Sequence, residues 1–158
     1  LIILRTLSKA WGLAGIRCGV IIADKAVLHS LRHIQLPFGF SSVSQAKVRE
    51  RLFDAEETFL SWKKIKKNRD ELIEKLSRMK EVTKVFKSHT NFIMMVLKDS
   101  QQGMALFKKH KILVLDCSSS LSNSIRVSIG NEQQNKKFLD VMRESSWPPK
   151  EKGRLRLV

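Results

Sequence analysis

The chain has 158 residues, 42% of them hydrophobic, and 30 Lys and Arg against 15 Asp and Glu give it a formal charge of +15. That length and apolar content suit one ordinary domain, or one piece of a larger one, with a real core. Cys18 and Cys117 lie far apart without CxxC spacing, which indicates neither a zinc site nor a disulfide framework, and no apolar run nears the roughly 20 residues that span a bilayer, so a soluble, cytoplasmic protein is expected.

Residues 1–4 form an apolar β-type run that starts on Leu1 rather than Met, as though the sequence had been cut inside a strand. After a Ser- and Gly-rich segment, residues 19–23 make a second continuous apolar run, of the kind buried in a sheet. Asp24 reads as the N-cap of a helix that carries Val27, Leu28 and Leu31 and ends before Pro37. A loop around Pro37-Phe38-Gly39 follows, with Ser42 or Ser44 expected to cap the next helix.

Helical spacing runs over residues 44–79, where Phe59, Trp62, Ile65, Arg69, Leu72, Ile73, Leu76 and Met79 share a face. A break is expected near Asp54 to Glu56, with the later part bridging two lobes. Residues 82–86, 92–97, 112–115 and 125–129 read as strands, with helices between 100 and 110 and between 131 and 145. This order predicts a small α/β lobe with helices over one face of its sheet, followed by a Pro-broken, charged and poorly ordered tail from Trp147.

The basic residues fall in Lys63-Lys64, Lys66-Lys67 and Arg69, in Lys108-Lys109 and Lys111, and between Lys150 and Arg156. Acids such as Asp70, Glu71 and Glu74 interrupt them and aromatic residues do not interleave them, so a solvated basic face is expected rather than a nucleic-acid site. A nucleic-acid-binding module is the rival, and it predicts steeply salt-dependent binding. His29, His33, His89 and His110 have no ligand spacing with carboxylates or cysteines, and no metal site is expected.

Chemistry concentrates between Arg5 and Gly19, which join a lysine, two hydroxyls, arginine and three glycines. A lysine among Leu7, Trp11 and Leu13 is expected to be partly desolvated, which favours the neutral, nucleophilic amine. Ser8 and Thr6 can donate to phosphate oxygens, Arg17 can clamp them with charge, and Gly12, Gly15 and Gly19 permit close backbone approach. On residue types alone, an ordinary strand-loop-strand connection with a solvated lysine accounts for this segment at least as well.

The string Thr6-Leu7-Ser8-Lys9-Ala10-Trp11-Gly12-Leu13-Ala14-Gly15-Ile16-Arg17-Cys18-Gly19 resembles the cofactor-lysine signature of class I/II aminotransferases of fold type I, and within them the histidinol-phosphate aminotransferases. The resemblance continues through Pro37-Phe38, Ser41-Ser42-Val43-Ser44-Gln45, Arg69-Asp70-Glu71-Leu72 and Thr90-Asn91-Phe92 to Ser124-Ile125-Arg126-Val127-Ser128-Ile129-Gly130. It implies an α/β fold, the C-terminal part of a fold type I pyridoxal-phosphate-dependent transferase. Residues 1–50 would end the cofactor-binding large domain, 51–79 form a connecting helix, 80–145 make the small α/β domain, and 146–158 form a charged, disordered tail.

By the same resemblance the cofactor is pyridoxal 5'-phosphate, with Lys9 as its covalent attachment point and catalytic residue, Ser8 and Arg17 as phosphate ligands, Thr6 as a weaker one, and Arg126 as the substrate's carboxylate anchor. The implied reaction is ping-pong amino transfer from L-histidinol phosphate to 2-oxoglutarate, giving imidazole-acetol phosphate and glutamate, in a homodimer when full length. Threonine-phosphate decarboxylase chemistry in the same fold, and a degenerate fragment without function, are the alternatives. The sequence departs from the family's pattern at Leu115, where an arginine that helps hold a substrate phosphate is usual; Lys111 or residues elsewhere would have to replace it. Family members are about twice this length, so the 158 residues alone are expected to lack activity.

Overall fold

A computed structural model describes residues 1–37 and 39–144. Phe38 of the expected loop, Ser145 at the end of the expected final helix, and the predicted tail therefore lie outside the described residues. The chain divides into two compact units, Leu1–Trp62 and Lys63–Val158. The division falls inside a helix, between Trp62 and Lys63.

In the first unit, β1 (Ile3–Thr6) pairs antiparallel with β2 (Gly19–Ile22) in the register Ile3 to Ile22 through Thr6 to Gly19. The expectation of a buried second strand fails. Val20, Ile21 and Ile22 are 43%, 43% and 55% exposed, and Leu4 is 69% exposed. A two-stranded ribbon has no neighbouring strand to shelter its edges, and within this unit neither of its faces is covered well enough to bury those side chains.

Helix α1 (Lys25–Ile34) begins where expected, with the Asp24 carboxylate accepting from the Ala26 N–H at 2.9 Å. It stops three residues before Pro37, which disfavours helical geometry in its predecessor. Helix α2 (Ser42–Phe53) is capped by Ser41, not by Ser42 or Ser44. Ser41 adopts extended geometry and its Oγ accepts from the Ser44 N–H at 3.1 Å, whereas Ser42 and Ser44 already lie within the helix. The expected long helix is thus two, broken at Asp54-Ala55, and α3 (Glu56–Ser77) carries the chain from the first unit's residues into the second's.

The second unit holds a four-stranded antiparallel sheet in the order β3 (Val82–Val85), β4 (Phe92–Leu97), β6 (Ser124–Ser128), β5 (Leu115–Asp116). The strand read over 112–115 shrinks to Leu115–Asp116, because the Ile112 N–H is taken by the Phe107 carbonyl behind it. Alternation along β4 and β6 sends Ile93, Met95, Leu97, Ile125 and Val127 into the core, all 6% exposed or less. Leu72 and Leu76 of α3, Leu106 and Phe107 of α4 (Ser100–Lys109), and Phe138, Leu139, Val141 and Met142 of α5 (Glu132–Met142) complete that core. Asn131 closes a capping box with Gln134 at the start of α5.

No helix among the described residues is long and apolar enough to cross a membrane. The basic residues in and just after α3 are partly matched: Lys67 and Lys75 flank Glu71 at 3.8 and 3.9 Å, Lys64 meets Glu132 at 3.8 Å, and Arg78 meets Glu74 at 2.6 Å.

Candidate active site

The hairpin ladder extends past its last strand pair. The Leu7 N–H donates to the Cys18 carbonyl at 3.2 Å, and the connecting loop opens with Arg17 on one side and Ser8 on the other. Lys9 is the next residue. A hydroxyl, an amine and a guanidinium therefore come from one loop mouth, with Thr6 at the end of β1 beneath them.

Local bonds fix this loop. The Thr6 Oγ1 accepts from the Ser8 N–H at 3.1 Å, the Lys9 carbonyl accepts from the Gly12 N–H at 3.0 Å, and the Leu13 N–H returns to the Leu7 carbonyl at 3.1 Å. Gly12 turns the chain at φ +69°, a left-handed conformation that costs other residues about 1–2 kcal/mol. A single 3-10 turn, Ala14–Ile16, ends at Arg17 in left-handed geometry (φ 57°), and an Arg17 Nη1 donates back to the Ala14 carbonyl at 3.1 Å. That bond holds the guanidinium near its own turn, and its other N–H groups make no hydrogen bond among the described residues.

Lys9 departs from expectation. Leu7 and Leu13 are buried, 7% and 5% exposed, but Lys9 itself is exposed and pairs with no acid among the described residues. The burial of its neighbours does not extend to Lys9, so the desolvation expected from them is not supplied.

Sequence reading did not single out Trp62 as part of this site. Its Nε1–H donates to the carbonyl of Ala10, the residue after Lys9, at 2.6 Å. Its ring meets Trp11 edge-on at 5.2 Å between centroids, and Phe59 joins both at 5.1 and 6.0 Å. Trp11 is thereby a packing residue beside the lysine. Fifty-two residues separate donor and acceptor, and nothing in local sequence announces such a bond.

In the second unit, Arg126 lies mid-strand on the exposed face of β6, its guanidinium 4.9 Å from the centre of the Phe92 ring. Its cross-strand partners are Met94 on β4 and Leu115 on β5. Beside Leu115, the Asp116 carboxyl is held below its ordinary value by the Ser118 hydroxyl and by the Ser118 N–H, which donates at 2.8 Å. Among the described residues no three His, Cys, Asp or Glu gather as metal ligands; the His29 and His33 rings only meet edge-on at 4.5 Å.

The donor set at the loop mouth fits a phosphorylated carbonyl compound: an amine to bond the carbonyl carbon, with a hydroxyl and a guanidinium to bind phosphate oxygens. Comparison with known proteins gives the family. Residues 1–142 match the family Aminotransferase class I and II. Histidinol-phosphate aminotransferase 1 of Legionella pneumophila (strain Lens) is 31% identical over 144 residues, covering 90% of this chain and 40% of that protein. The crystal structure of the histidinol-phosphate aminotransferase from Clostridium acetobutylicum superposes with a TM-score of 0.79 at 26% identity, over 90% of this chain and 44% of the other. The Sinorhizobium meliloti histidinol-phosphate aminotransferase, solved in complex with pyridoxal-5'-phosphate, gives 0.71 at 24% identity over 90% and 41%. The chain thus spans about two-fifths of the length of the relatives it matches.

Proposed function

Because the chain belongs to the class I and II aminotransferase family, we propose that it is the cofactor-lysine portion of a pyridoxal-phosphate-dependent aminotransferase, lying toward the C-terminal end of the whole enzyme. The observation that supports this most is the closed hairpin, whose Leu7–Cys18 bond brings together the ends of the loop that carries Ser8, Lys9 and Arg17. Lys9 Nζ is the covalent attachment point. Ser8 Oγ and the Arg17 guanidinium hold the phosphate, with Thr6 a lesser contributor since its oxygen already accepts from Ser8.

Bound pyridoxal phosphate supplies an electron sink for the carbon that loses its proton. The protein's share is placement and proton transfer. With the cofactor held by Lys9, Ser8 and Arg17, the Lys9 amine, once free, would take a proton from the substrate carbon and deliver it to the cofactor carbon on the other side of the shared nitrogen. Its exposure in this chain leaves Nζ accessible for both roles. Trp62, by holding the Ala10 carbonyl, limits how far the Lys9 backbone can swing. Arg126 anchors a substrate carboxylate through two parallel N–H donors.

The names of the relatives support histidinol phosphate as amino donor; 2-oxoglutarate as acceptor and a cytoplasmic homodimer complete the proposal. Steady-state assay of the full-length protein with this pair tests the reading. Parallel double-reciprocal lines and stoichiometric glutamate are expected, with turnover lost in Lys9→Ala. Carbon dioxide release from a phosphorylated amino acid, without glutamate, would instead make the enzyme a decarboxylase.

A further inference from the structure

We infer that His29 and His33 form a two-imidazole site on α1 for a divalent late-transition-metal ion, Zn2+ or Cu2+. The inference goes beyond the aminotransferase reading and does not rest on it, since neither residue belongs to the lysine loop.

The two histidines are four positions apart within α1, so their side chains are neighbours on the helix surface, with Cβ atoms about 5–6 Å apart. The same spacing lets two histidines of one helix hold zinc in the His-Glu-x-x-His pattern. Ser30 stands where that pattern has its glutamate, and its hydroxyl donates to the Ala26 carbonyl at 3.2 Å. The pair therefore binds a metal with no general base beside it. Its rings already meet, with centroids 4.5 Å apart and planes at 73°. Two nitrogens that each lie about 2 Å from a shared ion stand roughly 3 Å apart, which rotation of two touching rings can reach.

One hydrogen bond selects the ligand atom. The His33 Nδ1 lies 2.8 Å from the His29 carbonyl oxygen, which can only accept, so Nδ1 carries the proton and the neutral ring presents its lone pair at Nε2. A metal-bound histidine ordinarily holds its other ring N–H on a carbonyl or carboxylate in this way, which fixes the ring's orientation and raises its basicity. The ring nitrogens of His29 make no hydrogen bond among the described residues, and both histidines are exposed. Val27, Leu28 and Leu31, half-buried, lie on the opposite side of the helix. Imidazole suits zinc, copper and nickel, and affinity among the divalent ions peaks at Cu2+. Residues 25–34 include no acid, so Mg2+ and Ca2+, which require oxygen ligands, are not held. Lys25 and Arg32 on the same helix oppose any cation, and only two protein ligands are present, so the affinity is moderate.

The test titrates the cofactor-loaded full-length protein with Zn2+ in a calorimeter and compares wild type with His29→Gln and His33→Gln. Glutamine keeps helix propensity and polarity at both exposed positions, and unchanged thermal midpoints of the metal-free variants serve as the folding control. Each variant should weaken one Zn2+ site by about tenfold or more, the loss of one of its two protein ligands. Electron paramagnetic resonance of the Cu2+-loaded protein gives a second readout, since nitrogen ligands split the copper signal. Coupling to two nitrogens is expected at this site in wild type, and to one in either variant. Metal bound elsewhere in the protein contributes equally to all three proteins and cancels in the comparison. Wild-type protein that takes up no Zn2+ below about millimolar concentration, or variants whose Zn2+ affinity and copper spectra match wild type, would overturn the inference. Failure of the aminotransferase reading is distinguishable, because it would show as absent glutamate formation while the metal site persisted.

Discussion

At the scale of single residues, Lys9 and Trp62 show two different relations between sequence and site. Lys9 was legible because its neighbours form a long specific string, and resemblance, not residue chemistry, gave it meaning. Its exposure was misjudged, since sequence proximity to Leu7 and Leu13 does not say which way those side chains turn. Trp62 was legible only as a residue on a helix face, because its bond to the Ala10 carbonyl joins positions fifty-two residues apart. Trp62→Phe preserves much of the ring contact with Trp11 and Phe59 while removing the donor. In the full-length protein it should lower stability by about 0.5–1.5 kcal/mol in a denaturant titration and weaken pyridoxal phosphate affinity, with thermal stability and cofactor content moving together. Wild-type values of both would show that the bond does not restrain the lysine loop.

At the scale of elements, periodicity located the pieces and tertiary context decided their ends and surroundings. Alternation along residues 92–97 predicted β4 and its buried face, and Leu72 and Leu76 were legible as a core stripe on α3. The run at 19–23 shows the limit of such reading: a continuous apolar strand implies cover on both faces, yet β2 is exposed along its whole length. Likewise Ile112 to Val114 satisfied strand composition but lost their ladder to a turn closing α4. The firmest element is the layer of α4 and α5 on the sheet, where Phe107, wholly buried, stacks on Phe138 with centroids 5.3 Å apart. Phe107→Ala should cost about 3–5 kcal/mol, read as a fall in the denaturant midpoint. A loss under about 1 kcal/mol would mean this layer is not the core of the second unit.

For the whole molecule, family and fold class could be read from sequence, and the structural neighbours agree with both. What sequence left open was the relation of charge to function. A formal charge of +15 invited a nucleic-acid reading, whereas several of the basic side chains are spent on Glu71, Glu74 and Glu132 around α3. The chain covers about two-fifths of its relatives' length, and the exposed apolar side chains of its hairpin, Leu4 and Ile22 among them, belong to the same unit as Lys9. Activity is therefore a property to be sought in the full-length protein, and the central claim is the chemical role of Lys9. Borohydride reduction of the full-length protein loaded with pyridoxal phosphate, followed by peptide mass mapping, tests that claim most directly. A reduced pyridoxyl adduct on Lys9 that disappears in Lys9→Ala is expected; an adduct on another lysine, or none in wild-type protein, would show that Lys9 is not the attachment point.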